Sequence, residues 1–394
     1  MPPLSIACVT ETYPPEVNGV ALTVAQVVEG LRAQGHRVDL VRPWQPADAD
    51  RPVAADECLR PGWPIPRYAE LRMGSPNPLP LLARWRARRP DVVHIATEGP
   101  LGWAALQAAR RLGLPVCSDF RTNFHQYGAH YGLGWLAGPI EAYLRRFHNR
   151  CGRTLVPTEA MRQTLAARGF QRVEVVGRGI DTQRFAPGHR SEALRAAWGV
   201  APHERVMACV GRLAPEKNLD TVLRAYEAAR RAQPGLRLLL VGDGPLRPAL
   251  RARCPDALFA GTQHGEALAA HYASADLFVF ASLTETYGNV VPEALASGLP
   301  VVAYGQAAAA ELVVSGRNGR LAAPGDATAF IDAVIQVLGD EAGRQAMADA
   351  ARRSVEARGW GTVVARIARL LAEEAGPAVG PRRPAGSLGA TLPG

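Results

Sequence analysis

Short apolar runs alternate with segments of helical period along almost the whole chain, and they do so in two successive series. Residues 4–9, 36–41, 91–95, 115–117, 154–156 and 173–176 are runs of strand length. Between them, 20–33, 101–112, 136–149 and 159–167 repeat apolar residues at helical spacing. A second series follows: runs at 205–210, 237–241, 258–260, 277–280 and 300–303, separated by helical segments at 219–231, 266–273, 290–296 and 327–338. Strands that are apolar throughout are buried on both faces, the condition of a parallel sheet with helices on either side. Two such series in 394 residues exceed one core. They predict an α/β architecture of two doubly wound, Rossmann-like domains with a cleft between them. Pro187-Gly188 interrupts the pattern and sets the domains at 1–187 and 188–358. The helical segment 361–374 comes after the second series is complete, so 359–375 reads as a separate C-terminal helix. Residues 376–394, rich in Gly, Pro and Ala, read as a disordered tail.

Composition narrows the class. At 47% hydrophobic and 21% charged residues, a disordered, fibrous or low-complexity chain is excluded. No run approaches the ~18 apolar residues of a membrane span. The first apolar run has no basic residues before it and ends at Thr10-Glu11, so no signal peptide is expected. Cys8, Cys117 and Cys209 sit inside apolar runs, where a thiol behaves as a small hydrophobe, and no cysteine shows CxxC or metal spacing. A reduced, cytoplasmic setting is expected. Of the 45 Lys+Arg residues, 44 are arginine and one is Lys217. GC-rich coding accounts for most of the arginines but not for their placement. Residues 1–190 hold 24 Arg against 16 acids, net +8, whereas 191–394 hold 21 cations against 20 acids, net +1. An anionic partner is therefore drawn to the first domain. Segments 84–89 and 145–150 interleave arginine with Trp85 and Phe147, as interfacial segments do, or as solvated helix faces do under the same coding bias. No recognition motif accompanies the charge, so nucleic acid is not an expected partner.

In open parallel sheets, ligands bind beyond the carboxyl ends of the strands, so the turns after the strands carry the chemistry. After the first strand of the second series stands Gly211-Arg212-Leu213-Ala214-Pro215-Glu216-Lys217-Asn218. Gly211 allows close backbone approach. Arg212 and Lys217 place two cations at a helix start, which already favours anions. They form a diphosphate clamp or, alternatively, a solvated turn. The lone lysine favours the clamp: where coding replaced lysine wherever arginine served, this position needs a compact ammonium. Gly242-Asp243-Gly244 closes the next strand, as ligand contact or as structural punctuation. The segment 282–294 is the most specific. Glu285 lies in a loop, Gly288, Asn289 and Val290 open a helix with free N–H groups, and Glu293 follows in its first turns. In the first domain, Asn18 and Gly19 turn into the helix 20–33 and face the cleft from the other side. Asp48-Ala49-Asp50 mimics a DxD metal motif, but it lies in an Ala/Pro loop far from the clamp, and no metal is expected.

Taken together, the Glu285/Glu293 spacing, Gly211-Arg212 with Glu216-Lys217-Asn218, Asn18-Gly19-Val20 and Gly179-Ile180-Asp181 resemble the retaining glycosyltransferases of family 4, which have the GT-B fold. The resemblance runs from about residue 4 to residue 374. The stretch 64–72, Tyr131-Gly132-Leu133-Gly134 and 286–291 resemble the branch of lipid-directed α-mannosyl- and sulfoquinovosyl-type transferases. The resemblance implies that Arg212 and Lys217 neutralise a donor diphosphate, with Gly19 approaching from the first domain. It implies that Glu285 holds hydroxyls of the donor sugar, that Gly288, Asn289 and Val290 donate N–H groups, and that Glu293 takes the ribose hydroxyls. Gly211 and Gly242 complete the donor side. The C-terminal helix would cross back onto the first domain.

One position departs from the family. Its members carry a histidine facing the donor sugar where this chain has Arg121, in Phe120-Arg121-Thr122-Asn123-Phe124-His125. Arginine moves no proton at neutral pH but still binds phosphate or a hydroxyl. Arg121 thus joins Glu285, Arg212 and Lys217 as a catalytic candidate, and Asn18, Arg121 and His125 are candidates on the acceptor side. The expected activity is retaining, metal-independent transfer of a hexose, mannose from GDP-mannose in the first instance, to a glycolipid or other glycan acceptor. The enzyme would be cytoplasmic and peripheral at the inner face of the cell membrane. A UDP-sugar donor is the runner-up, followed by a sugar-nucleotide epimerase; a non-catalytic nucleotide-binding regulator is a third class.

Overall fold

The computed structural model describes residues 2–16, 18–65, 68–121, 137–285 and 287–376. The two series of strands form two separate parallel sheets. The first series gives β1 (Ser5–Val9), β2 (Arg37–Pro43) and β3 (Glu57–Arg60), then an antiparallel ribbon of β4 (Gly62–Ile65) and β5 (Tyr68–Gly74). It continues with β6 (Val92–Ile95), β7 (Val116–Asp119), β8 (Arg153–Val156) and β9 (Val173–Val175). Without the ribbon, these make a seven-stranded sheet of order β3-β2-β1-β6-β7-β8-β9. The second series gives β10 (Val206–Val210), β11 (Arg237–Val241), β12 (Leu258–Gly261), β13 (Leu277–Phe280), β14 (Val301–Tyr304) and β15 (Gly319–Ala322). Their order is β12-β11-β10-β13-β14-β15. The strand order therefore reverses beside β1 in one sheet and beside β10 in the other. At those two points a crevice opens beyond the carboxyl ends.

The central strands β6, β10, β13 and β14 are buried along their whole length, as their apolar runs, interrupted only by His94 in β6, require. The edge strands β3, β9, β12 and β15 are only partly buried. The pattern-based reading missed β3 and β15, where Glu57, Arg60 and Arg320 interrupt the apolar signal at an edge that tolerates charge. It also missed helices Leu79–Ala87 and Glu341–Val355.

Six helices position the site. They are α1 (Gly19–Ala33), α2 (Pro100–Arg111), α3 (Ala137–His148), α4 (Leu219–Ala232), α5 (Val290–Ala296) and α6 (Trp360–Ala375). The C-terminal helix α6 belongs to the first sheet. Its Val364, Ile367 and Leu371 pack with Ile6, Cys8, Val28 and Leu31. Each such burial stabilises by about 1.5–3 kcal/mol. α1 and α6 cross closely: a Cβ on Gly30 would stand 2.6 Å from Val364. Residues ahead of Pro187-Gly188 also contact the second core. Ile180 and Phe185 already pack in the second core, and Ile180 bridges to Gly359 where α6 begins. Crossover and linker thus meet side by side, and a Cβ on Gly179 would stand 2.4 Å from the Trp360 ring. The Gly/Pro/Ala-rich tail from 377 onward lies outside the described residues, as does His125.

Candidate active site

The turn after β10 is built on glycines that allow backbone to meet backbone. Gly211 has φ +145° and Gly242 φ +132°, and a Cβ on Gly242 would fall 2.0 Å from the Gly211 carbonyl oxygen. Leu213 N donates to Asp243 O at 2.9 Å, and Leu246 N donates to Leu213 O at 2.9 Å. Gly242 and Gly244 therefore hold the Arg212 loop in place by close approach, which gives the Gly-Asp-Gly turn a structural role. The Arg212 side chain is exposed and forms no ion pair among the described residues.

A short 3-10 turn, Pro215–Lys217, follows, and Asn218 at φ +50° bends the chain into α4. This bend carries Lys217 back over the sheet. Its ammonium pairs with Glu285, which lies 68 residues away in the loop after β13. It also lies 5.4 Å from the centre of the Phe280 ring. Ser282 Oγ donates to Glu285 Oε1 at 2.8 Å, and Leu283 N donates to Glu216 O at 3.1 Å, so the two loops are tied together. β10 and β13 are neighbours at the switch point of the second sheet, and for that reason these sequence-distant groups converge.

Gly288 (φ +85°) turns the chain into α5, whose first turn presents Asn289 and Val290. Glu293 accepts a hydrogen bond from Tyr272 Oη at 3.0 Å, and burial pushes its carboxyl up to about 7. From the first domain, Asn18 caps α1: its Oδ1 accepts from Val20 N (3.1 Å) and Ala21 N (2.8 Å). Asn18 Nδ2 donates to Thr12 Oγ1 at 2.8 Å. Its side chain thus works locally, orienting Gly19. A Cβ on Gly19 would lie 3.5 Å from Asn289 Nδ2, so the two helix starts face each other across the cleft.

Arg121 follows β7, one strand beyond the β1–β6 switch point of the first sheet. Its Nε donates to Asp119 Oδ2 at 2.6 Å, and Asp119 Oδ1 also lies 3.1 Å from His94 Nε2 on the neighbouring β6. Although burial opposes charge on His94, the Asp119 carboxylate raises it to about 10. Asp119 itself is held well below the ordinary carboxylate range by Arg121 and His94, against its burial. Sequence reasoning passed over His94, Glu11, Glu98 and Arg178, all near this point. Glu11 accepts from Leu101 N (2.7 Å) and from Gly74 N, and burial raises it to about 7. Glu98 is 3% exposed with both carboxyl oxygens unpartnered, and burial raises it to about 8. The one available signal was a charged or imidazole residue inside or just after an apolar run.

Asp48 is engaged by arginine. Arg42 grips both its oxygens at 2.8 and 2.6 Å, Arg51 adds a third contact at 2.9 Å, and Asp50 is exposed. Among the described residues, no group of three or more His, Cys, Asp or Glu is placed to hold a metal ion.

Two Rossmann-like domains facing across a cleft, with a cationic turn and a carboxylate joined on one wall, make up a GT-B glycosyltransferase. Residues 17–184 match the model for Glycosyltransferase Family 4, and residues 204–340 that for Glycosyl transferases group 1. The GDP-mannose-dependent alpha-mannosyltransferase of Mycobacterium tuberculosis is 38% identical over 363 residues, 91% of this chain and 93% of that protein. The sulfoquinovosyl transferase of Arabidopsis thaliana is 30% identical over 317 residues, 77% of this chain and 61% of that one. The structure of sucrose-phosphate synthase from Thermosynechococcus elongatus superposes at TM-score 0.76 with 20% identity, covering 93% of this chain and 98% of that chain. The chain belongs to the family 4 glycosyltransferases.

Proposed function

We propose that this glycosyltransferase moves a mannosyl group from GDP-mannose to a lipid-linked hydroxyl, with retention of configuration and without a metal. The observation that carries the reading is the junction of Lys217 and Glu285 at the switch point, opposite Gly19. Similarity to a GDP-mannose-dependent enzyme over 91% of the chain supports the donor. In the reaction, the bond between the anomeric carbon and the diphosphate oxygen breaks while the acceptor oxygen bonds the same face of that carbon. The acceptor proton passes to the departing phosphate. Negative charge grows on the diphosphate, and Lys217, held beside Glu285, offsets it together with Arg212. Glu285, beside Lys217, holds donor-sugar hydroxyls, and Glu293 holds those of the ribose. An acid near neutrality in its free setting both donates to and accepts from a diol.

For the acceptor, a surface groove beside α2 and α3 offers Trp103, Tyr143, Arg146 and Arg150. Arg150 lies 5.5 Å from the Trp103 ring centre, so cation and aromatic stand together at the surface. No helix among the described residues is long and apolar enough to cross a membrane. Peripheral association with anionic lipid through this face fits the charge of the first domain. Incubating the purified protein with GDP-mannose or UDP-glucose, with and without bacterial lipid extract, tests the reading. A new mannolipid from GDP-mannose supports it. A glucolipid from UDP-glucose alone, an altered nucleotide sugar, or no turnover of either donor overturns it.

A further inference from the structure

A small cavity of about 20 Å³ lies between the first sheet and α6, on the cleft side. Its wall includes two guanidinium groups, those of Arg121 and Arg178, together with Thr23, Phe120 and Trp360. Both arginines are more than nine-tenths buried, at 9% and 8% exposure. They are not equally compensated. Arg121 is paired with Asp119, and Asp119 is already shared with His94. Arg178 has no ion pair among the described residues, and its Nη1 has no hydrogen-bond partner. Burial, with Arg121 beside it, pulls the Arg178 guanidinium down to about 9. The one carboxylate at this spot, Asp119, is taken up by Arg121 and His94, and Arg178 is left without one. Buried cations in native proteins are paired, and the missing partner of an unpaired one is an anion. Guanidinium groups bind oxyanions with two parallel N–H donors, the geometry of a phosphate or a carboxylate.

The placement carries a consequence for the reaction. Arg121 follows β7, one strand beyond the β1–β6 switch point of the acceptor-side sheet. Arg178 stands in the linker between the domains, where Gly179 touches Trp360 and Ile180 pairs with Gly359. We infer that Arg121 and Arg178 form an oxyanion site that receives a phosphate or carboxylate group of the acceptor. The inference rests on the glycosyl-transfer reading for the identity of the ligand, but not for the existence of the site. A neutral acceptor leaves Arg178 uncompensated, so the site selects anionic headgroups.

The test uses inorganic phosphate as probe, with GDP saturating the donor side so that Lys217 and Arg212 do not report. Thermal unfolding of the full chain in up to 50 mM phosphate, against equal ionic strength of sodium chloride, is expected to rise by about 2–4 °C. In Arg178→Met the rise disappears, while melting without phosphate is no lower than that of the wild type, because an apolar side chain replaces an unpaired buried charge. Arg178→Lys, a point charge without the fork, retains at most half of the shift. A wild type indifferent to phosphate overturns the inference. So does an Arg178→Met protein that melts lower but keeps the phosphate shift, since that is a structural arginine. In turnover, phosphate inhibition that acceptor relieves identifies the acceptor's own oxyanion as the ligand; inhibition that acceptor leaves unchanged assigns the site to free phosphate and overturns its acceptor role. Failure of donor turnover alone sinks the proposed activity and leaves the binding result to stand by itself.

Discussion

At the scale of single residues, Lys217 is the most consequential. It is the one lysine among 45 basic residues, and it meets Glu285 under the Arg212 loop. Lys217→Ala and Glu285→Ala are each expected to lower kcat/KM for the donor at least about 100-fold, with melting temperatures near that of the wild type. Lys217→Arg is expected to recover less than about a tenth of the activity, because a planar fork does not fit where a compact ammonium sits between a carboxylate and an aromatic ring. Near-normal turnover in either alanine variant would remove both residues from the site. Gly242→Ala tests the supporting backbone. Its new Cβ, 2.0 Å from a carbonyl oxygen at φ +132°, is expected to destabilise by about 2–3 kcal/mol and to weaken GDP binding, checked by urea unfolding and calorimetry. Lys217, Glu285 and Glu293 were legible in the sequence because each follows a strong apolar strand run. Arg178 and Glu98 also follow apolar runs, but what sets them apart is a missing partner, and partners come from distant parts of the chain.

Secondary-structure elements bring the partners together. His94 on β6 and Asp119 on β7 sit side by side because those strands pair in parallel. His94 is raised from 6.5 to about 10 in the fold, so its contribution is whole below pH 6.5 and is lost as pH rises through about 10. The depressed Asp119 stays charged until pH falls well below the usual carboxylate range. His94→Gln is therefore expected to cost about 3 kcal/mol at pH 6 and progressively less toward pH 10, measured by denaturant unfolding at each pH. A difference constant with pH would show that the imidazole is not charged in the fold. Which strands exist was largely legible in the sequence: β10 and β13 are unbroken apolar runs, and β1 and β6 are apolar but for Ser5 and His94. β3 and β15 were not, since charged residues interrupt the apolar signal at a sheet edge, nor was the β4–β5 ribbon.

For the whole molecule, the asymmetry of charge sets a prediction about surfaces. Net +8 lies in residues 1–190, and Arg146 and Arg150 are exposed beside Trp103 and Tyr143. Co-sedimentation with phosphatidylglycerol vesicles is expected at 50 mM salt and to fall several-fold by 500 mM, with Arg146→Ala/Arg150→Ala weaker at every salt concentration. Binding unaffected by salt, or none, would place the acceptor's approach elsewhere. The sequence by itself determined the two parallel sheets, the order of their elements and the turns that bear charge, because burial on both faces and turn chemistry are written in local patterns. Only the tertiary structure decided that Ile180 pairs with Gly359 beside the Gly179–Trp360 contact, that α6 completes the first core, and that Asp119 is shared by His94 and Arg121 while Arg178 goes without. Those facts depend on which distant segments touch, and the balance of charge in a buried space is a property of all the elements around it.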